Sequence, residues 1–242
     1  MNPQQPSDMR AALGSFSCRD GFEMPSWSVR PATDTALPGV LFVYEPFGIN
    51  PEMQRVASEL ARAGYVVMIP DLMKRGSFVT CMRRLMKSMA REEGGGIDDL
   101  LDARAALVGR EDVVADRIGV VGLCLGGGFA LVLAKTGLFR ASAPFYGRAP
   151  NSIVGACPIV ASYGGRDRMT GADAHRLRGA LEQLAIPHDF KTYDHSGHSF
   201  MTRPANAVLR VLGPILPGHA AYDPEAAADA TRRLIAFFAR HV

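Results

Sequence analysis

Short apolar runs alternate along the chain with longer segments whose apolar residues recur at helical spacing. This alternation predicts an α/β fold, in which a mostly parallel sheet is flanked by helices on both faces. The start differs, because residues 14–29 form two short apolar segments around Asp20-Gly21, which predicts an N-terminal antiparallel hairpin. Strands are predicted at 39–45, 65–70, 117–122, 141–147, 158–164 and 188–194, and helices at 51–62, 97–108, 125–135, 172–184 and 224–241.

Two segments do not fit this pattern. Residues 72–96 are basic and rich in methionine but lack firm helix caps, so we expect a mobile flap there. Residues 204–222 are rich in proline, glycine and leucine and are longer than a simple connection to the closing helix. This segment either covers the mouth of a pocket or buries apolar residues at a partner surface, the candidates being Val208, Leu209, Val211 and Leu212.

Composition narrows the class of protein. The 242 residues are 48% hydrophobic, which predicts a single globular domain over residues 1–242. The 27 basic and 24 acidic residues are spread along the chain, so neither a nucleic-acid partner nor a membrane surface is indicated. No run approaches the ~18 apolar residues of a membrane span.

The four cysteines predict free thiols rather than disulfides or a zinc site. Cys18, Cys81, Cys124 and Cys157 form no C-x-x-C pair and no cluster with histidine. Because the first ten residues lack the apolar run of a secretory signal, we expect a cytoplasmic location. No metal and no organic cofactor is predicted.

Cys124 is the candidate nucleophile. The segment Gly122-x-Cys124-x-Gly126 joins a predicted buried strand directly to a predicted helix, which is the pattern of a nucleophile elbow. The amide of Leu125 and the start of the helix then lie beside the sulfur, where they favour a thiolate and can stabilise an oxyanion. The alternative is a buried structural cysteine at a tight turn.

A base and an orienting acid follow in the expected chain order. Asp167 comes directly after the strand predicted at 158–164, and His198 lies in a Gly-His-Ser-Phe segment after the last predicted strand. Asp167 has the alternative role of a turn or helix-capping residue. His195, close to His198, better suits a loop or solvent position.

These residues belong to a longer set of landmarks in one order. The chain carries Asp20-Gly21, Tyr44-Glu-Pro-Phe-Gly48, Gly64-Tyr65 with Pro70-Asp71, Gly122-Leu-Cys-Leu-Gly-Gly127, Phe145-Tyr-Gly147, Gly164-Gly-Arg-Asp167 and Gly197-His-Ser-Phe200. It resembles the dienelactone hydrolase family of the α/β-hydrolase fold, in which cysteine replaces the usual serine. The resemblance implies a triad of Cys124, His198 and Asp167 that attacks a lactone or ester carbonyl.

The resemblance also implies a role for Glu45. The matching glutamate of the family lies near the nucleophile and helps to take the thiol proton when substrate arrives. For Glu45 the alternative is a surface salt bridge. We also expect Tyr146, from the Phe-Tyr-Gly landmark, to contact the substrate.

Two departures from the family pattern affect the site. The residue after the family glutamate usually donates an N–H to the oxyanion, but Pro46 has none, so we expect Phe47 N–H or a water to replace it beside Leu125 N–H. Family members carry an arginine in H-S-F-x-R that pairs with a substrate carboxylate, whereas this chain places Arg203 one residue later. Arg203, or Arg83 or Arg84 from the predicted flap, is the candidate for that role, and a solvated surface arginine is the alternative.

The sequence therefore predicts a dienelactone hydrolase-like enzyme that cleaves a small lactone or carboxylic ester by way of an acyl-cysteine. The alternative is a catalytically impaired protein of the same fold that binds a small molecule, since Pro46 removes one oxyanion donor. The expected ligand is a small molecule, and the chain is expected to be a monomer or a weak homodimer.

Overall fold

The computed structural model describes residues 8–204, 207–215 and 217–242. The chain divides into two units, which are described one at a time. The first comprises residues up to Phe42 together with Gly48–Ile118, and the second comprises Val43–Phe47 and Gly119–Val242. The expectation of one domain over residues 1–242 stays a prediction.

The first unit contains a mixed set of strands and three helices. Its strand order is β1-β2-β4-β3, with β1 antiparallel to β2, β2 antiparallel to β4, and β3 parallel to β4. The strands are β1 (Met9–Ser17), β2 (Glu23–Pro31), β3 (Leu37–Val43) and β4 (Val66–Pro70), and the helices are α1 (Pro51–Arg62), α2 (Phe78–Arg91) and α3 (Gly95–Val108). The predicted antiparallel hairpin is thus confirmed, with longer strands than expected.

The segment predicted as a mobile flap forms regular structure instead, so that prediction is wrong in its secondary structure. A 3-10 turn covers Leu72–Arg75 and is followed by the 14-residue helix α2. The Ser77 hydroxyl caps α2 by accepting a hydrogen bond from the Thr80 amide, a signal that the methionine-rich pattern obscured. Cys81 and Leu85 are buried on its inner face.

A buried carboxylate ties α2 and the 3-10 turn to α3. Asp99 on α3 is almost fully buried and accepts from Arg75 Nη2 at 2.7 Å and from Arg84 Nη1 at 2.6 Å. Arg75 also pairs with Asp20 in the hairpin turn at 2.6 Å. Because a buried charge needs such partners, the two arginines compensate for the burial of Asp99 and link these segments to one another.

A second carboxylate of the first unit lies between two arginines. Asp112 accepts from Arg110 Nη2 at 2.7 Å and from Arg30 Nη1 at 2.6 Å. The hydrogen bond from Arg110 is the main cause that holds the pKa of Asp112 below its usual range, and Arg30 adds to it. The pair of guanidinium groups stabilises the charged form of this side chain.

The second unit contains parallel strands and the predicted closing helix. Strands β5 (Val113–Leu123, its start in the first unit), β6 (Ala141–Phe145), β7 (Ile159–Gly164) and β8 (His188–Tyr193) pair in this order, all in parallel. The helices are α4 (Leu125–Ala134), α5 (Gly171–Gln183), α6 (Ala207–Leu212) and α7 (Pro224–His241). Helix α6 was not predicted, whereas α7 has the predicted bounds.

Parallel pairing brings the ends of β5 to β8 to one edge of the second unit. Cys124 follows β5, Tyr146 follows β6, Asp167 comes shortly after β7, and His198 comes shortly after β8. Ligand sites of open α/β sheets lie at this edge. In the described part of the chain, no helix has both the length and the apolar character needed to span a bilayer.

Candidate active site

The turn between β5 and α4 places Cys124 in a strained backbone conformation. Cys124 has φ 55° and ψ −112°, and its side chain is only partly buried. Gly122 and Gly126 are required by close approach, because a Cβ at Gly122 would overlap the Gly126 carbonyl and one at Gly126 would overlap the Val43 carbonyl. The geometry is that of a nucleophile elbow.

Cys124, His198 and Asp167 form one continuous set of contacts. The distance from His198 Nε2 to Cys124 Sγ is 3.0 Å, and that from His198 Nδ1 to Asp167 Oδ2 is 2.7 Å. Asp167 also accepts from the Met169 amide at 2.8 Å and from the Thr170 hydroxyl at 2.5 Å. A buried carboxylate therefore orients a buried imidazole toward the partly exposed sulfur.

The charges of this set favour a protonated imidazole. Burial alone would raise the pKa of Asp167, but the hydrogen bond and charge of His198 bring it below its usual range. Burial opposes a charged His198, yet its contacts with Asp167 and Cys124 raise its pKa above the usual value.

Glu45 lies in a cage of hydroxyl groups in the same unit. Its carboxylate accepts from Tyr146 Oη at 3.2 Å and from Thr202 Oγ1 at 3.2 and 3.3 Å, and the Ser199 side chain is a further partner. Burial raises the pKa of Glu45, and these hydroxyls with the charge of His198 offset only part of that rise. The buried position argues against the surface salt bridge considered as an alternative.

Tyr146 links this cage to the imidazole. The tyrosine is fully buried with φ 41°, and its ring centroid is 5.0 Å from that of His198. Burial, with the negative charge of Glu45 next, keeps the pKa of Tyr146 well above its usual range. Its hydroxyl is a neutral donor to Glu45, and a substrate contact of Tyr146 stays a prediction.

Thr202 is a site residue that sequence reasoning missed. It stands fourth after His198, where the resemblance led us to expect an arginine, and its buried hydroxyl contacts Glu45. Counting from the histidine gives the signal, since the chain reads H-S-F-M-T. Arg203 is exposed, with its guanidinium 4.9 Å from the Tyr222 ring centroid.

The remaining predicted site residues have varied surroundings. Leu125 is buried at the first position of α4, directly after the sulfur. The Phe47 side chain is 62% exposed. Arg84 belongs to the first unit, where it pairs with Asp99. The oxyanion roles of Leu125 and Phe47 and the substrate roles of the arginines stay predictions.

Backbone carbonyls of the 204–222 segment support the histidine loop. Gly218 O accepts from the His198 amide at 2.6 Å, and Pro217 O accepts from the Arg168 amide at 3.2 Å. Part of this segment thus holds the backbone at His198. Of its apolar candidates, the side chains of Val208 and Leu209 lie outside the described residues, while those of Val211 and Leu212 are exposed.

Known proteins match the chain over most of its length. The model of the dienelactone hydrolase family matches residues 24–242. The chain belongs to the dienelactone hydrolase family. A carboxymethylenebutenolidase of Rhodococcus opacus is 27% identical over 225 residues, which cover 84% of this chain and 81% of the relative.

Solved structures of the family share the fold. A dienelactone hydrolase from Anabaena variabilis aligns with a TM-score of 0.69 at 18% identity, over 97% of this chain and 99% of its own. A dienelactone hydrolase-like promiscuous phosphotriesterase from metagenomic libraries aligns with a TM-score of 0.82, also at 18% identity and with the same coverage. Together with the family match, these findings confirm the predicted α/β-hydrolase fold and the prediction of a lactone or ester hydrolase.

The described residues offer no ligand set for a metal ion. Among residues 8–204, 207–215 and 217–242, no three histidine, cysteine or carboxylate side chains are grouped to hold an ion. All four cysteines are free thiols. Burial raises the pKa of Cys157 to about 12, which makes this thiol a poor nucleophile.

Proposed function

We propose that the protein hydrolyses a small lactone or carboxylic ester through an acyl-cysteine intermediate on Cys124. One observation carries the proposal, the continuous contact from Cys124 Sγ through His198 to Asp167, at 3.0 and 2.7 Å. Covalent acyl transfer requires an accessible nucleophile, a base in reach and a group that orients the base. A partly exposed thiol on a strained turn meets the first requirement.

Acylation of the cysteine starts with the proton of the pair on the His198 imidazole, whose contacts favour its protonated form. The sulfur forms a bond to the carbonyl carbon, and the carbonyl electron pair moves onto oxygen. Leu125 N–H at the start of α4 stabilises this oxyanion, and Phe47 N–H is the proposed second donor because Pro46 has no N–H. The C–O bond then breaks, and His198 returns the proton to the leaving oxygen.

Deacylation reverses the roles with water as the nucleophile. His198 takes a proton from water, the oxygen attacks the acyl carbon, and the Cys124 sulfur leaves with its electron pair. The product is a carboxylic acid. Asp167 remains ionised throughout and stabilises the imidazolium, in keeping with its lowered pKa and the raised pKa of His198.

Glu45 is proposed as a further proton acceptor for the thiol. Its pKa is raised by burial, which makes it a better proton acceptor than an exposed glutamate. Its charge also attracts a proton onto His198. Tyr146 and Thr202 hold the carboxylate in place from two sides.

Turnover by cysteine variants tests the proposal. We expect the full chain to hydrolyse p-nitrophenyl acetate and a simple butenolide, and Cys124→Ala to lose more than about a thousandfold in kcat/KM. The matched control is Cys157→Ala, which removes another partly buried thiol and is expected to retain activity within about twofold. Mass spectrometry after acid quenching is expected to find the acetyl group on the peptide that contains Cys124.

Two results would contradict this function. Turnover by Cys124→Ala at the wild-type rate would remove the sulfur from the reaction. Binding of esters or lactones without turnover by the wild-type chain would favour the impaired binding protein, for which the missing N–H of Pro46 is the motivating observation.

A further inference from the structure

A half-open cavity lies against the loops that carry Asp167 and His198. Its volume is about 250 Å³, and its lining includes Arg166 and residues 195–197. Pro214, His219 and residues 221–224 complete the described lining. Cys124 and His198 are not among the described residues that line it.

The described lining carries one guanidinium, that of Arg166. The exposed guanidinium of Arg166 forms no hydrogen bond or ion pair with any residue in the described ranges. His195 and His219 add two imidazoles to the lining. Among the described lining residues the one carboxylate is Asp223, and both of its oxygens are engaged, by the Ser196 hydroxyl at 2.6 Å and the Ala226 amide at 3.1 Å.

The lining also includes apolar groups. These are Pro214, Ala221, Pro224 and the ring of Tyr222. The volume corresponds to about eight water molecules at ~30 Å³ each, which exceeds what a small inorganic anion fills. The lining therefore matches a molecule with one negative group and a hydrocarbon part.

We propose that this cavity binds an organic monocarboxylate, with the carboxylate paired to Arg166 and the hydrocarbon part against Pro214 and Pro224. Such acids are the class of product that the proposed hydrolysis releases. In this respect alone, the choice of ligand rests on the proposed function. The Arg166 amide donates to Ser196 O at 2.9 Å, so the bound acid contacts the two loops just before Asp167 and His198.

Benzoate binding to a chain without the nucleophile tests the site. We expect isothermal titration calorimetry to detect benzoate binding by full-length Cys124→Ala, and Arg166→Gln in that background to weaken it about tenfold or more, since a charge-assisted hydrogen bond is lost. The matched control is Arg168→Gln, which removes an exposed arginine from the same loop but not from the lining. Amide NMR signals of Gly197 and Ala221 are expected to shift on binding.

Four outcomes would overturn the proposal. These are the absence of benzoate binding, an affinity unchanged by Arg166→Gln, an equal loss in Arg168→Gln, and binding of inorganic phosphate as tight as that of benzoate. Thermal unfolding of each variant checks that it is folded. Benzoate binding is measured without turnover. Its absence therefore says nothing against the proposed hydrolysis, and a failure of the hydrolysis proposal leaves the binding test valid.

Discussion

Replacing Thr202 by valine removes one donor from the buried Glu45 carboxylate and keeps the shape of the side chain. The hydroxyl stabilises the charged form of Glu45, so its loss raises the pKa of that carboxyl further. If Glu45 accepts the thiol proton, the acidic limb of the kcat/KM profile moves to higher pH. Thr202→Ser keeps the donor and is expected to keep the wild-type profile.

The size of the shift follows from the geometry. Hydrogen bonds to charged groups contribute about 1.5–3 kcal/mol. The hydrogen bond from the Thr202 hydroxyl lies at the weak end of this range, since its distances to the Glu45 oxygens are 3.2 and 3.3 Å. The same hydroxyl is also 3.4 Å from Ser199 O. About 1.5 kcal/mol corresponds to roughly one pKa unit. We therefore expect the acidic limb of Thr202→Val to rise by about one pH unit.

The assay is the pH dependence of kcat/KM for p-nitrophenyl acetate, because this parameter reports ionisations of the free enzyme. Wild type, Thr202→Val and Thr202→Ser are compared under the same buffer conditions. An acidic limb at the same pH in all three would refute the reasoning, and so would a shift to lower pH in Thr202→Val. An equal shift in Thr202→Val and Thr202→Ser would mean that packing, not the hydroxyl, holds Glu45.

Two further predictions concern charges of the first unit. Asp99→Asn removes the buried partner of Arg75 and Arg84 and is expected to lower the free energy of unfolding in urea by about 3 kcal/mol. The neighbouring Asp98→Asn changes an exposed ion pair and is expected to lower it by less than about 1 kcal/mol. Equal losses would contradict the burial argument. Asp112 has a lowered pKa in the folded chain, so its stabilisation is full above the ordinary aspartate range and disappears as pH falls through the folded pKa. The difference in unfolding free energy between wild type and Asp112→Asn is therefore expected to be constant from about pH 7 to 5 and to shrink below about pH 4, and a difference that grows on acidification would contradict it.

Elements with strong periodicity were predictable because local sequence and tertiary packing agree in them. Helix α7 has alternating alanine and large apolar residues after an Asp-Pro start, and the predicted and observed bounds coincide. Helix α2 was missed because its few buried residues are separated by methionines and arginines. The Ser77 cap that begins it is a local signal, whereas the contact of Arg84 with the distant carboxylate Asp99 leaves no local pattern.

The same difference between local patterns and distant contacts applies to the candidate site. The proximity of Cys124, Asp167 and His198 was predictable because each follows a strand, and parallel strands bring such ends together. The hydroxyls of Ser199 and Thr202 were not predicted, because serine and threonine are common in loops and an arginine was expected at the position that Thr202 occupies. The contact of Thr202 with Glu45 joins residues 157 positions apart, which only the folded chain reveals.

The two buried carboxylates near His198 differ in their donors, and this difference separates their roles. Asp167 receives a backbone amide, a hydroxyl and the imidazole ring, which together outweigh the effect of burial and lower its pKa. Glu45 receives hydroxyls, which do not outweigh burial, and its pKa is raised. A carboxyl with a lowered pKa stays an anion and stabilises an imidazolium, whereas one with a raised pKa takes up and releases a proton. The same imidazole therefore contacts a carboxylate that stays charged, Asp167, and also interacts with the charge of Glu45, the proposed further proton acceptor.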